Sequence, residues 1–109
     1  MRRVIVNLLK NAEQSIPVER QGEVWITLKG IGDQVEIRIK DNGCGIPEDI
    51  QKKIFEPNFT TKSSGSGLGL AICRRIIENF GGEIGFTTTL GVGTEFYIIM
   101  NKYDAQAKD

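Results

Sequence analysis

The chain has 109 residues, with 14 Lys plus Arg against 14 Asp plus Glu, and it contains no histidine. Without imidazole, a Ser-His-Asp triad, a Cys-His catalytic pair, a zinc site with histidine ligands and a histidine pH switch are all excluded. A protein that phosphorylates one of its own histidines is excluded for the same reason. The balanced charge argues against a nucleic-acid-binding protein, which needs clustered surplus Lys and Arg.

The length predicts one compact domain that buries a core without disulfides or a structural metal. Its two cysteines, Cys44 and Cys73, are interpreted as reduced thiols. No apolar run approaches the ~20 residues that cross a bilayer, and the first residues carry no signal-peptide pattern. We therefore expect a cytoplasmic chain that makes no membrane contact of its own.

Apolar spacing predicts an amphipathic helix over residues 3–14, which Pro17 ends. Because this helix begins almost at the first residue, with no cap and no preceding strand, we expect an N-terminally truncated domain. Strict alternation of apolar and polar residues then predicts two half-buried strands, 24–29 and 35–40. The short link over 30–33 predicts that these strands pair as an antiparallel hairpin.

The second half of the chain is predicted to contain two helices and two strands around one long loop. Pro47 favours the start of a short helix that runs to about Phe55. Residues 56–66 show no periodicity and contain Pro57, three Ser, two Thr and Gly65, which predicts an exposed loop. A long helix, two strands and a polar tail follow, with predicted ranges 68–80, 83–89, 94–101 and 102–109.

This order of elements predicts an α+β fold or a two-layer α/β sandwich, with three helices over one face of a sheet. The last strand is unusual because both of its faces are apolar. Phe96, Ile98 and Met100 alternate there with Tyr97 and Ile99. We interpret it as a central strand, or as one whose second face is covered by a missing segment or a partner.

Asp41 is the first residue that suggests a binding site. It continues the alternation of Val35, Ile37 and Ile39, so its carboxylate should point toward the core. Burying a carboxylate costs several kcal/mol unless donors compensate it, and the glycine-containing run 42–45 offers backbone N–H groups. An inward acceptor beside glycines would suit an amino-bearing ring. The alternative is an Asp that caps its own turn.

Asn7 and Asn11 are four residues apart and therefore share one face of the first helix. An amide oxygen at Asn11 could join phosphate oxygens and water around Mg²⁺, although two solvated asparagines are the alternative. Residues 65–70 join the loop to the second long helix as a Gly-x-Gly-x-Gly run. Such a run can turn backbone N–H groups toward an anion, or it can serve as a hinge.

Taken in order, four segments resemble the motifs of the ATP-binding catalytic domain of sensor histidine kinases, in the superfamily of gyrase, heat-shock chaperones, histidine kinases and MutL. They are similar to its asparagine box, first glycine box, phenylalanine box and second glycine box, at 7–12, 41–47, 54–62 and 65–70. The resemblance implies a Bergerat-type α/β two-layer sandwich, with a mixed sheet and three helices on one face. It implies one ATP-binding domain over 1–101, with a lid at about 56–66 and a polar tail at 102–109.

By this resemblance, Asp41 accepts the exocyclic amine of adenine, with a water held near Gly45 and Thr94. Asn11 binds Mg²⁺, Asn7 supports the phosphate end, and the lid closes over the nucleotide. The resemblance thus implies ATP and Mg²⁺, and it gives catalytic roles to Asn7, Asn11 and Lys62. It gives nucleotide contacts to Asn11, Asp41, Gly43, Gly45, Ile46, Thr61, Lys62, Gly65, Gly67, Leu68, Gly69, Leu70 and Thr94.

Asn7 distinguishes phosphotransfer from hydrolysis. Gyrase-like and chaperone-like members of the superfamily carry a Glu at this position, which activates water. With Asn7 there instead, we expect the γ-phosphate to be donated to a histidine on a separate dimerisation and phosphoacceptor domain, and from there to a response regulator. We also expect no nucleic-acid partner, a parent kinase with or without a membrane anchor, and a dimer through the truncated edge of the sheet.

Two alternatives to this function remain. One is a serine kinase of the anti-sigma-factor type from the same superfamily. The other is a non-catalytic module that binds nucleotide or only docks on partners.

Overall fold

The fold is described from a computed structural model, which covers residues 2–56 and 69–101. The predicted loop beyond Glu56 and the predicted tail lie outside these residues. The predicted long helices and the four strands are confirmed, whereas the short helix is regular for only four residues and continues as turns to Phe55. The elements are α1 (Arg2–Ser15), β1 (Val24–Ile31), β2 (Gln34–Asp41), α2 (Glu48–Gln51), α3 (Gly69–Asn79), β3 (Glu83–Thr89) and β4 (Gly93–Asn101).

The four strands form one sheet in the order β1-β2-β4-β3. We expected a mixed sheet, but the three pairings of the described strands are all antiparallel. The reason is the position of the second hairpin. β3 runs in the same direction as β2, yet the hairpin places β4 between them, so the two strands of like direction are not neighbours. The expectation that the last strand is central is confirmed.

The core lies between one face of this sheet and the helices. α1 and α3 pack against each other, α1 also contacts β2, and α3 contacts β3. We expected three helices to cover the sheet, but the single turn of α2 buries none of its residues. The segment after α2 contributes Ile54 instead. The buried apolar side chains are Val4, Leu8, Ala12, Ile39, Ile54, Cys73, Ile77, Phe96, Ile98 and Met100.

The half-buried character predicted for the first strand is wrong, because all eight residues of β1 are exposed. The pairing register places Ile26 opposite Ile39 and Leu28 opposite Ile37, so the apolar side chains of β1 do share the helix-bearing face. However, β1 is the edge strand and the helices lie mainly over its neighbours. Ile26 and Leu28 are consequently 56% and 69% exposed.

Candidate functional site

The carboxylate of Asp41 is buried at the end of β2, on the core side that the alternation predicted. Asp41 is 2% exposed. Its Oδ1 accepts the backbone N–H of Gly43 at 2.8 Å and that of Thr94 at 3.3 Å. The first bond is the local turn cap that was the alternative interpretation. The second comes from β4, across the sheet, so the carboxylate also links two strands.

Both of these hydrogen bonds fall on the same oxygen. Within residues 2–56 and 69–101, no buried side-chain oxygen or nitrogen is left without a partner. Because a carboxylate has about four acceptor positions, these two hydrogen bonds do not use the full acceptor capacity of Asp41. The chemistry that suits the remaining capacity is an N–H donor on a ligand.

The loop that follows Asp41 is clamped to the β3–β4 hairpin. Gly91 N–H donates to the carbonyl oxygen of Cys44 at 2.7 Å. Ile46 N–H donates to Thr88 Oγ1 at 2.9 Å, and this hydroxyl lies 2.8 Å from Thr94 Oγ1. Thr88 was missed from the sequence, because residues 87–89 are three threonines and only the register, which pairs Thr88 with Thr94, distinguishes them.

Two glycines make this close packing possible. Gly45 has φ +78°, and a Cβ there would lie 2.5 Å from the carbonyl oxygen of Thr89. Gly93 has φ +149°, and a Cβ there would collide with the carbonyl oxygen of Asp41. A side chain at either position would push the hairpin away from the end of β2. Thr94 N–H would then no longer reach Asp41.

The last turn of α1 adjoins the same loop, because Cys44 N–H donates to the carbonyl oxygen of Ser15 at 3.0 Å. Asn7, Asn11 and Ser15 are spaced by four residues and share one face of α1. At ~1.5 Å of rise per residue, Asn7 lies ~12 Å along the helix from Ser15. Asn11 lies between them, and both asparagines are half-buried.

The opposite end of this helix face lies against α3. The thiol of Cys73 donates to the carbonyl oxygen of Val4 on α1 at 3.8 Å, the side chain of Asn7 adjoins the thiol, and burial raises the pKa of that thiol to about 11. Gly69, the first residue of α3, precedes Cys73 by one helical turn. The first N–H groups of a helix have no partner within it and carry its positive end. The first described turn of α3 therefore lies one helical turn from Cys73, which contacts α1.

The structure thus places the described site residues on three elements: the loop after β2, one face of α1 and the first described turn of α3. Asp41, Gly43, Gly45, Ile46 and Thr94 lie in or beside the loop that contacts the last turn of α1, Asn7 and Asn11 lie along one face of α1, and Gly69 and Leu70 lie in the first described turn of α3. The remaining predicted site residues lie outside the described part of the chain. They are Thr61, Lys62, Gly65, Gly67 and Leu68.

The donor set of the described residues fits a substrate-borne Mg²⁺ better than a metal held by the protein alone. These residues contain no group of three His, Cys, Asp or Glu side chains that could hold a metal ion. An amide oxygen such as that of Asn11 is a hard ligand, and Mg²⁺ typically takes one or two protein ligands beside phosphate oxygens and water.

Over the same described residues, none of the helices is long and apolar enough to span a membrane.

Several solved structures that resemble this one are histidine kinases or catalytic domains of histidine kinases. The catalytic domain of histidine kinase ThkA matches with a TM-score of 0.78 and 38% identity, over 93% of this chain and 65% of that one. Mycobacterial sensor histidine kinase MprB matches with a TM-score of 0.78 and 30% identity, over 91% and 70%. Full-length ShkA, solved in complex with AMPPNP, matches with a TM-score of 0.78 and 32% identity, over 91% and 20%.

Curated relatives give the same class. AtoS of Escherichia coli K12, a signal transduction histidine-protein kinase, is 45% identical over 101 residues, which are 92% of this chain and 16% of AtoS. Sporulation kinase E of Bacillus subtilis 168 is 41% identical, over 92% of this chain and 13% of that protein. Residues 1–104 match the histidine kinase-, DNA gyrase B- and HSP90-like ATPase family, and the chain belongs to it.

We predict that Gly45→Ala destabilises the protein more than Gly91→Ala. Both glycines have a left-handed φ, near +78° and +79°, which costs alanine about 1–2 kcal/mol. A Cβ on Gly91 has open space, whereas one on Gly45 meets the backbone of Thr89 and adds about 1–3 kcal/mol of overpacking. Urea unfolding measures both losses. Equal losses would contradict the close packing described here.

Proposed function

We propose that this chain is the catalytic part of a two-component sensor histidine kinase. It binds Mg-ATP along the polar face of α1 and donates the γ-phosphate to a histidine of a separate phosphoacceptor domain. The observation that supports this most directly is the buried Asp41 carboxylate, whose Oδ1 is held by two backbone N–H groups. The chain spans 16% of the length of AtoS, so the activity of a whole kinase needs segments beyond these residues.

The adenine ring binds at the last turn of α1. Oδ2 of Asp41 accepts the exocyclic amine, while the backbone at Gly43, Gly45 and Ile46 and the side of Thr94 line the ring. Since both carboxylate oxygens are acceptors, a base with a carbonyl oxygen at the position of the amine would bring two acceptors together. The pocket therefore selects adenine over bases with an oxygen there.

The phosphates bind at the first turn of α3, where Gly69 and Leu70 present backbone N–H groups at the positive end of the helix. The amide oxygen of Asn11 is the protein ligand of Mg²⁺, which when bound neutralises charge on the phosphates, and Asn7 supports the same end. The lid at about 56–66, with Thr61 and Lys62, closes over the phosphates. Gly65, Gly67 and Leu68 complete the second glycine box there.

Transfer to a protein acceptor is favoured over hydrolysis by the residue at position 7. Asn7 carries an amide, which cannot take a proton from water as a carboxylate base does. The chain also has no histidine, so the acceptor imidazole belongs to another domain. In the transfer, the bond from the γ-phosphorus to the ADP oxygen breaks and its electron pair stays on ADP. A P–N bond forms at the unprotonated nitrogen of the imidazole, and the other ring nitrogen releases its proton to water. A response regulator then takes the phosphoryl group, in the cytoplasm.

We predict that Asp41→Asn lowers the affinity for Mg-ATP by about 10- to 100-fold, because a hydrogen bond to a charged acceptor contributes roughly 1.5–3 kcal/mol. Isothermal titration calorimetry with Mg-ATP measures this. The matched control is Asp33→Asn, which removes the same charge from the exposed β1–β2 turn and should leave the affinity unchanged. No binding by the native chain, or equal binding by Asp41→Asn, would contradict the assignment.

The two alternative functions are separated by the phosphorylated product. With γ-labelled ATP and a supplied histidine-bearing phosphoacceptor domain, we predict label that is lost in acid, because phosphohistidine is acid-labile. Asp41→Asn should abolish the labelling. Acid-stable label would favour the serine kinase, and nucleotide binding without any transfer would favour the non-catalytic module.

We also propose that two copies of this chain pair through β1. Asn42 N–H donates to Glu23 O at 3.2 Å, and hydrogen-bonded pairs alternate along an antiparallel ladder. The backbone groups of Val24, Ile26, Leu28 and Gly30 therefore face away from β2. A two-fold pairing centred on Thr27 would use all four. It would also place Ile26 opposite Leu28 of the second copy, on the apolar face.

We predict that the protein sediments as a dimer at about 100 μM and that Leu28→Lys converts it to a monomer, because a charge then replaces the central apolar contact. Leu90→Lys is the matched control, since Leu90 in the β3–β4 turn is 66% exposed and Leu28 is 69% exposed. Sedimentation velocity measures both variants. A monomeric native chain would contradict the pairing.

A further inference from the structure

The connection between α1 and β1 is fastened to the loop that follows Asp41. Nη1 of Arg20 donates to the carbonyl oxygens of Asn42 and Gly43, at 2.6 and 2.9 Å. The side chain of Asn42 makes two hydrogen bonds to the same connection. Its Oδ1 accepts Glu23 N–H at 2.8 Å, and its Nδ2 donates to the carbonyl oxygen of Gln21 at 2.9 Å.

One of these bonds is made to the peptide group that also holds Asp41. The carbonyl oxygen of Asn42 and the N–H of Gly43 belong to a single peptide unit. Its oxygen receives the guanidinium of Arg20, and its N–H donates to Oδ1 of Asp41 at 2.8 Å. A cation at the carbonyl end of a peptide group polarises it and strengthens donation by its N–H.

We propose that Arg20 is a positioning residue for nucleotide recognition, acting on Asp41 through the Asn42–Gly43 peptide group. This inference rests on the proposed function, because it assumes that Asp41 receives the adenine amine. Arg20 itself touches no ligand. Its positive charge holds the peptide group in the orientation that fixes Oδ1, and it thereby directs Oδ2 toward the ring.

The hydrogen bonds of Asn42 and those of Arg20 have different roles in holding the loop. Asn42 bonds to backbone groups on both sides of Gly22 through a neutral amide, so it sets the spacing between the connection and the loop. Arg20 adds the charge, and its guanidinium bridges two successive carbonyl oxygens. A lysine could keep the charge but would place a compact ammonium where the guanidinium bridges both oxygens. A glutamine would keep a donor without the charge.

The first experiment uses the nucleotide-free protein and the amide signal of Gly43 in ¹H–¹⁵N NMR spectra. In Arg20→Gln the Gly43 proton should move upfield, because its hydrogen bond to Asp41 weakens. In Arg20→Lys it should move part of that distance. Arg75→Gln, which removes a charge from an exposed position of α3, should leave it in place. An unmoved Gly43 signal in Arg20→Gln would overturn the proposal.

The second experiment compares the affinities of the same variants for Mg-ATP and Mg-inosine triphosphate, which has a carbonyl oxygen in place of the amine. Arg20→Gln should weaken Mg-ATP binding by roughly 3- to 10-fold, the effect of weakening one hydrogen bond, and leave inosine triphosphate unaffected. Arg20→Lys should restore part of the loss. Equal losses for both nucleotides would mean that Arg20 only stabilises the loop, which would overturn the proposal.

Failure of this inference is distinguishable from failure of the proposed function. If the native chain binds Mg-ATP and Asp41→Asn loses it while Arg20→Gln does not, the ATP site stands and the role of Arg20 falls. If the native chain does not bind Mg-ATP, the proposed function falls. The Gly43 signal still decides whether Arg20 polarises the peptide group.

Discussion

A carboxylate that is 2% exposed must be compensated by hydrogen bonds, and the compensation of Asp41 constrains most of the surrounding structure. One donor requires the tight turn at Gly43, and the other requires β4 to approach the end of β2 closely enough for Thr94 N–H to reach Oδ1. That approach depends on Gly93, where any Cβ would meet the Asp41 carbonyl oxygen. The Thr88 hydroxyl and the last turn of α1 then hold the loop from two sides.

Much of this arrangement could be predicted, because the decisive signals are local or periodic. Alternation along β2 places Asp41 on the core face, and helical spacing places Asn7 and Asn11 on one side of α1. The apolar character of both faces of β4 indicates a central strand, which the sheet order confirms. Each of these inferences needs only the geometry of a single element.

The features that could not be predicted depend on how elements meet. Alternation in β1 is as regular as in β2, yet Ile26 is 56% exposed because the helices lie mainly over the neighbouring strands. A parallel pair was expected, and the insertion of β4 between β2 and β3 removes it. Arg20 donates hydrogen bonds to Asn42 and Gly43, which lie 22 and 23 positions further along the chain. No local sequence pattern marks that contact.

The measurement that tests the central claim most directly is a ¹H–¹⁵N NMR titration of the native protein with Mg-ATP. If adenine binds at the Asp41 carboxylate, the amide signals of Gly43, Gly45 and Thr94 should shift together with saturating concentration dependence. The signals of Gly69 and Leu70 should shift with them, because the phosphates of the same nucleotide reach the first described turn of α3. Saturable shifts confined to other residues, with the signals of Gly43 and Thr94 unchanged, would contradict the account.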